Sequence, residues 1–175
     1  MIRHPRIVLR SGTPGDAQRI HALIEDNLDG GRLLPRELGE VVSHSSRFVV
    51  AVHRRKIVGC AELAPLSHNV AEVRSLAVDR RARGKGIGAM LVEELQRRAR
   101  LEEYSQLGAF THAPGYFAKL GFLAVPHAWL PEEVSRNSAG CCRGGTCVRI
   151  AVVMSLEVTS TAMEHQDPVS TSPHI

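Results

Sequence analysis

One short run, Arg83-Gly84-Lys85-Gly86-Ile87-Gly88, constrains the fold of this chain more than any other stretch. It stands between a strand-like run ending at Val78 and a stretch from Gly86 to about Arg100. In that stretch Ile87, Leu91, Leu95 and Ala99 recur at helical spacing, with Glu93, Glu94, Arg97 and Arg98 left for the wet side. Glycines at 84, 86 and 88 remove side chains where the chain enters the helix, so backbone N–H groups can approach an anion closely. The unpaired amides of the first turn and the positive end of the helix dipole favour negative charge at the same place. Arg80, Arg81, Arg83 and Lys85 add positive charge around it. A strand, a basic glycine turn and an amphipathic helix in this order imply a fold with a pyrophosphate-sized anion site at a helix N-terminus.

Two common nucleotide loops do not fit. A Walker loop needs Gly-Lys followed by a hydroxyl for magnesium, whereas Lys85 is followed by Gly86 and Ile87. A dinucleotide fingerprint spaces its glycines as Gly-x-Gly-x-x-Gly after an early parallel strand; here the spacing is Gly-x-Gly-x-Gly after an antiparallel run.

The flanking sequence fills in an α+β layout. Arg6 to Arg10 reads as an opening strand, and Thr13-Pro14-Gly15-Asp16 as a helix start. The helix carries Ile20, Leu23, Ile24 and Leu28 on one face and is expected to stop at Gly30-Gly31. A weaker helix is expected from Arg36 to His44. Phe48 to Val52 and Ile57 to Leu63 form an antiparallel hairpin around His53-Arg54-Arg55-Lys56, and Ala71 to Val78 gives a third strand. Beyond the long helix, strands are expected at 105–110, 122–125 and 148–156, with a short helix from Pro114 to Leu120 closed by Gly121. One domain over residues 1–157 and a polar, proline-bearing tail over 158–175 account for the chain.

Composition narrows the function classes. The formal charge is +4, but 18 acidic residues are interspersed among 22 basic ones and aromatics make up 4%. That supply does not make a base-stacking platform, so a nucleic-acid partner is not expected. No apolar run approaches the ~20 residues that span a bilayer, and no secretory signal is visible, so no membrane partner is expected and the cytoplasm is the expected location. Cys141, Cys142 and Cys147 cluster in a Gly-rich stretch but lack the paired spacing of a zinc site, so no metal is expected.

Arg83, Gly86 and Gly88, preceded by Leu76-Ala77-Val78-Asp79, resemble the acetyl-CoA signature of the GNAT superfamily of N-acetyltransferases. Tyr116-Phe117-Ala118-Lys119-Leu120-Gly121-Phe122 resembles that family's second landmark, a short helix ending in Leu-Gly-Phe. The resemblance implies the GNAT fold: a mixed, mostly antiparallel sheet whose central strand carries a bulge and splays from its neighbour, flanked by helices. It implies acetyl-CoA as cosubstrate, with its pantetheine arm in the splay. Leu76, Ala77 and Val78 would lie along the arm, and Arg83, Gly84, Lys85, Gly86, Ile87 and Gly88 around the pyrophosphate. Gly31-Arg32-Leu33-Leu34-Pro35-Arg36 and the strand Ala71 to Val78 are further similar to the acetyltransferase domain of bacterial N-acetylglutamate synthases. That likeness implies transfer of acetyl to a small amino acid, L-glutamate first, at the opening of arginine biosynthesis. Another small amine, a protein N-terminus, or a non-catalytic acetyl-CoA sensor are the alternatives. GNAT proteins often dimerise through C-terminal strands, and residues 148–156 are apolar enough to take part in a homodimer.

Acyl transfer to an amine needs a proton acceptor, a donor to the developing oxyanion and well-placed reactants. The Leu76 amide is the expected oxyanion donor. Glu62, Glu72 and His112 are the candidate bases, and sequence alone leaves the choice open. Many GNAT enzymes place an acidic tyrosine four residues before the Gly of Leu-Gly-Phe; here that residue is Phe117, and Tyr116, one residue off, is expected to point elsewhere. A dicarboxylate acceptor calls for arginine forks, for which Arg32 and Arg74 are first and Arg36 third. Arg36 is also placed to pair with Glu37 or Glu40.

Overall fold

The structure is a computed structural model, and it describes residues 6–29, 33–126 and 149–156. Strands β1 (Val8–Ser11), β2 (Phe48–His53), β3 (Lys56–Pro65), β4 (Val70–Val78), β5 (Gln106–Thr111), β6 (Leu123–Val125) and β7 (Ile150–Ser155) form one sheet. Its order is β1-β2-β3-β4-β5-β7-β6, and every neighbouring pair is antiparallel except β4 and β5. Helices α1 (Ala17–Glu25), α2 (Leu38–Ser43), α3 (Ile87–Leu101) and α4 (Pro114–Ala118) flank it. This is the α+β arrangement expected, with ends shifted by a few residues.

Local chemistry explains the main element ends. The Asp16 carboxylate accepts the Thr13 amide and hydroxyl at 2.9 and 2.8 Å and takes a two-pronged bond from Arg10. Those bonds fix the turn that opens α1, and the Arg10 guanidinium holds the Asp16 carboxyl well below its ordinary range. The helix ends at Glu25, short of the expected glycine pair, because the Asn27 side chain turns back to donate to the Leu23 carbonyl at 2.7 Å. Arg54 and Arg55, at φ 47° and 65°, make the two-residue hairpin turn between β2 and β3.

Period-two alternation sends the sheet's apolar residues to two faces. Val49, Ala51, Ala61, Leu63, Ala71 and Val73 pack under α3 with Ile87, Leu91, Leu95 and Ala99. Phe48, Val50, Cys60 and Ala77 pack under α1 and α2 with Ile20, Leu23, Ile24 and Val41. Each fully buried leucine of α3 contributes about 1.5–3 kcal/mol to that contact. Among the described residues no helix is long and apolar enough to cross a membrane. The expected tail at 158–175 and the stretch bearing Cys141, Cys142 and Cys147 lie outside the described residues.

Candidate active site in the splayed sheet

The sheet opens at its centre for a reason visible in the register. Cys60 pairs with Ala77 and Glu62 with Arg74, so two steps on β3 match three on β4. The extra residue sits at Ser75, whose φ of 50° is unusual for a side chain other than glycine. The Cys60 thiol donates to the Ser75 carbonyl at 3.7 Å. Burial pushes that thiol's pKa up to about 12, so it is a fixed donor rather than a nucleophile. The bulge switches parity along β4: Ala71 and Val73 face α3 before it, and Ala77 faces α1 after it.

Strands β4 and β5 pair only through Val70, Ala71 and Glu72 against Gln106, Leu107 and Gly108. The rest of β4 diverges, leaving a wedge with Glu72 at its vertex. A cleft of about 880 Å³ occupies this wedge and runs to the N-terminus of α3. Its walls include Leu76 and Val78 of β4, Arg83, Gly84, Gly86, Ile87 and Gly88 of the loop, and Phe110 and Thr111 of β5. Gly84 and Gly86 have φ of 75° and 74°, and no atom lies within 4 Å of where a Cβ would stand on either. The cradle is therefore open at the place where an anion would meet the amides. Ala77 faces away into the core, and Lys85 is exposed beside the loop rather than in the cleft wall.

The loop arginines are held by the turn beyond α1. Arg83 donates to the Asn27 side chain and to the Val78 carbonyl, while Arg80 pairs with Asp29. Arg19, within α1, ties that helix to Asp79 at 3.0 Å. These bonds fix the loop's path before any ligand arrives.

The candidate bases separate clearly. Glu62 is fully buried and receives Arg36 Nη1 at 2.7 Å, with His44 Nδ1 at 3.3 Å from its other oxygen. It is not part of the cleft wall. Arg36 is itself buried; it grips Glu40 through Nε and Nη2 at 3.0 and 2.8 Å and donates to Ser75 Oγ at 3.1 Å. The expected pairing with its own helix is thus with Glu40, and the added bond to Glu62 ties the connector before α2 to the bulge. Glu72 does line the cleft, and Arg74 Nε stands 3.5 Å from its carboxylate. Burial raises its carboxyl above the ordinary range, and the charges of Arg74 and Arg149 only partly offset this. His112 is exposed just beyond β5 and is absent from the wall. Arg32 lies outside the described residues.

Phe117 is buried against Phe122, edge to face at 5.2 Å between ring centres. Tyr116, expected to point elsewhere, lines the cleft instead. Its hydroxyl lies 2.5 Å from where a Cβ on Gly88 would stand, so the glycine makes room for the phenol over the first turn of α3.

Comparison with known proteins agrees with this geometry. The Acetyltransferase (GNAT) domain family matches residues 44–123. An amino-acid acetyltransferase of Mycobacterium tuberculosis is 31% identical over 135 residues, covering 75% of this chain and 77% of the relative. The chain belongs to the GNAT acetyltransferase family. An N-acetyltransferase of Chlorobaculum tepidum is 29% identical over 148 residues, 85% of this chain and 96% of the relative. Among solved structures, N-acetylglutamate synthase of Neisseria gonorrhoeae, complexed with coenzyme A and N-acetyl-glutamate, superposes with a TM-score of 0.80 at 27% identity. That match covers 87% of this acetyltransferase but only 36% of the synthase chain. The cosubstrate of the acetyltransferase is acetyl-CoA, and the wedge, the open glycine cradle and the volume of the cleft suit it. Sequence reasoning missed Phe110, Tyr116 and Arg149 as parts of this wall. The one available signal for Arg149 was a lone charge at the head of an apolar strand.

Proposed function

We propose that the chain transfers the acetyl group of acetyl-CoA to the α-amino group of a small amino acid, with L-glutamate as the first acceptor. The observation that carries this reading is Glu72, a nearly buried carboxylate at the wedge vertex with arginines beside it. Acetyl-CoA supplies an activated acyl group on a thiolate leaving group. The chain's part is to place it, accept a proton and stabilise charge. Amides from Arg83 to Gly88 would hold the pyrophosphate, and the unpaired edge of β4 from Val73 to Val78 would hold the arm. The Leu76 amide, next to the bulge, is the donor placed for charge developing on the acyl oxygen.

Glu72 would remove the ammonium proton of the acceptor. Its raised pKa makes it a better proton acceptor near neutral pH than an ordinary carboxylate. Glu62 cannot fill that role while both of its oxygens face Arg36 and His44 below the cleft wall; it positions Arg36. The departing thiolate, with an ordinary pKa of about 8.5, takes its proton from solvent. Support for a free amino acid as acceptor comes from relatives and neighbours of the amino-acid acetyltransferase kind. A panel of amino acids and amines, read as acetyl-CoA-dependent thiol release, tests the proposal. Preference for L-glutamate upholds it; preference for a peptide N-terminus or a polyamine sinks the amino-acid acceptor.

A further inference from the structure

The register passes from Glu62 opposite Arg74 to Cys60 opposite Ala77, so Ser75 and Leu76 stand outside the pairing of β3 with β4. The φ of 50° at Ser75 persists in a residue other than glycine only where its surroundings hold it. Side chains do so here. The Cys60 thiol donates to the Ser75 carbonyl at 3.7 Å, and the Ala77 amide faces the same sulfur. One thiol therefore bridges the two peptide groups that flank Leu76. A thiol is a weak donor, but Cys60 is fully buried, where water does not compete for its proton. A second hold comes from Arg36, whose Nη1 donates to Ser75 Oγ at 3.1 Å and to Glu62 at 2.7 Å.

We infer that Cys60 is a positioning residue for acyl transfer: its thiol, together with Arg36 on the Ser75 hydroxyl, fixes the peptide plane that presents the Leu76 amide to the acyl oxygen. The direction follows from the chain. The Ser75–Leu76 peptide bond is trans, so its carbonyl and its amide point in opposite directions. Cys60 belongs to β3, and β4 stands between β3 and the wedge, whose wall includes Leu76 but not Cys60. A thiol that holds the carbonyl on the β3 side turns the amide towards the wedge. A donor aimed in advance stabilises developing charge better than one that must reorient as the thioester carbonyl becomes an oxyanion. The thiol itself touches no reactant, and its effect reaches the reaction through the backbone.

This inference rests on the acetyltransferase reading, and the experiment keeps the two apart. Wild type, Cys60→Ala, Cys60→Ser and Ser75→Ala are compared in kcat with L-glutamate and in acetyl-CoA affinity by calorimetry. The infrared carbonyl stretch of 13C-labelled acetyl-CoA, bound without acceptor, is the third readout. Cys60→Ala should lower kcat by about tenfold, because the donor is loosened rather than removed, and change the acetyl-CoA dissociation constant by less than about twofold. Cys60→Ser, which keeps a donor, should stay within about threefold of the wild type. Ser75→Ala frees the Arg36 hold but leaves its ion pairs in place, and should lower kcat by about threefold. The bound carbonyl should absorb at lower frequency than the free one, and that shift should shrink in Cys60→Ala. A merely structural role would not move it. Should Cys60→Ala fail to fold, the wild-type shift and the Ser75→Ala variant carry the test. An unchanged kcat and shift in the folded variants, or no shift in the wild type, overturns the inference and leaves the acetyltransferase reading intact. If the wild type turns over no amino acid, the acceptor reading fails, and the carbonyl shift alone decides the role of Cys60.

Discussion

Two arginine–carboxylate clusters share one face of the sheet and use the same residue types for opposite ends. Around Glu62 the arginine is committed: Arg36 spans Glu62, Glu40 and Ser75, while His44 Nδ1 stands 3.3 Å from the other Glu62 oxygen without a hydrogen bond. Around Glu72, Arg74 makes a 3.5 Å approach, and the carboxylate faces a cleft. Burial acts on both. In the first cluster complementary charge answers it, and the Arg36 guanidinium stays charged because its bonds to Glu62 and Glu40 outweigh the loss of solvent. In the second the answer is incomplete, and Glu72 titrates high. The carboxylate that Arg36 grips at 2.7 Å ties the connector to the bulge, and the one that faces the cleft is available for chemistry.

The sharpest structural break in this comparison is Glu62→Ala. Removing Glu62 leaves the buried Arg36 with Glu40, at the edge of the cluster, as its carboxylate partner, so urea unfolding should show a loss of about 3 kcal/mol. The double variant Glu62→Leu with Arg36→Met should recover most of that loss, because apolar replacement of a buried pair is often close to neutral. If the single variant is as stable as the wild type, the closed cluster does not hold the bulge.

Arg74→Ala probes the open cluster. It should raise the acceptor KM by about thirtyfold with a smaller change in kcat, and Arg74→Lys should recover part of the difference. An unchanged KM would remove Arg74 from the acceptor site.

Gly88→Ala addresses the loop end of the same cleft. Its added methyl would displace the Tyr116 hydroxyl and weaken acetyl-CoA binding by about tenfold, or 1.4 kcal/mol. Combining it with Tyr116→Phe, which removes the oxygen in conflict, should restore affinity. No rescue would mean that the methyl obstructs the ligand rather than the tyrosine.

The smallest effect concerns stability at the vertex. With its pKa raised in the folded state, Glu72 keeps a proton that the unfolded chain has already released, so stability falls as pH rises from the ordinary glutamate value through the raised one. Glu72→Gln should flatten that slope and stabilise the protein at neutral pH by about 0.5–1 kcal/mol in urea melts. The rate has the opposite sense: deprotonated Glu72 is the active form, so kcat/KM should rise over a pH range above that of an ordinary carboxylate.

The glycine loop and α3 were legible because their signals are local: three small residues, neighbouring basic side chains and a 3.6-residue apolar repeat. The Ser75 bulge was not legible from periodicity, since an inserted residue only inverts the alternation, and Arg74 and Leu76 then read as sharing a face. It was expected through family resemblance. Alternation also could not say what covers Glu62, because its partner Arg36 lies 26 residues away in a connector without a pattern of its own. Arg149 escaped notice for a similar reason, as its meaning comes from a ring on the neighbouring strand. Where the side chain of a distant element decides, sequence spacing carries no information about the outcome.

The most direct test of the account sets the two carboxylates side by side. The kcat for L-glutamate is measured for Glu72→Gln and Glu62→Gln under saturating acetyl-CoA, on variants shown to be folded. A loss of about a hundredfold or more for Glu72→Gln, against less than about tenfold for Glu62→Gln, is the predicted result. The reverse order, with Glu62→Gln the inactive variant, would contradict the assignment of chemistry to the open cluster.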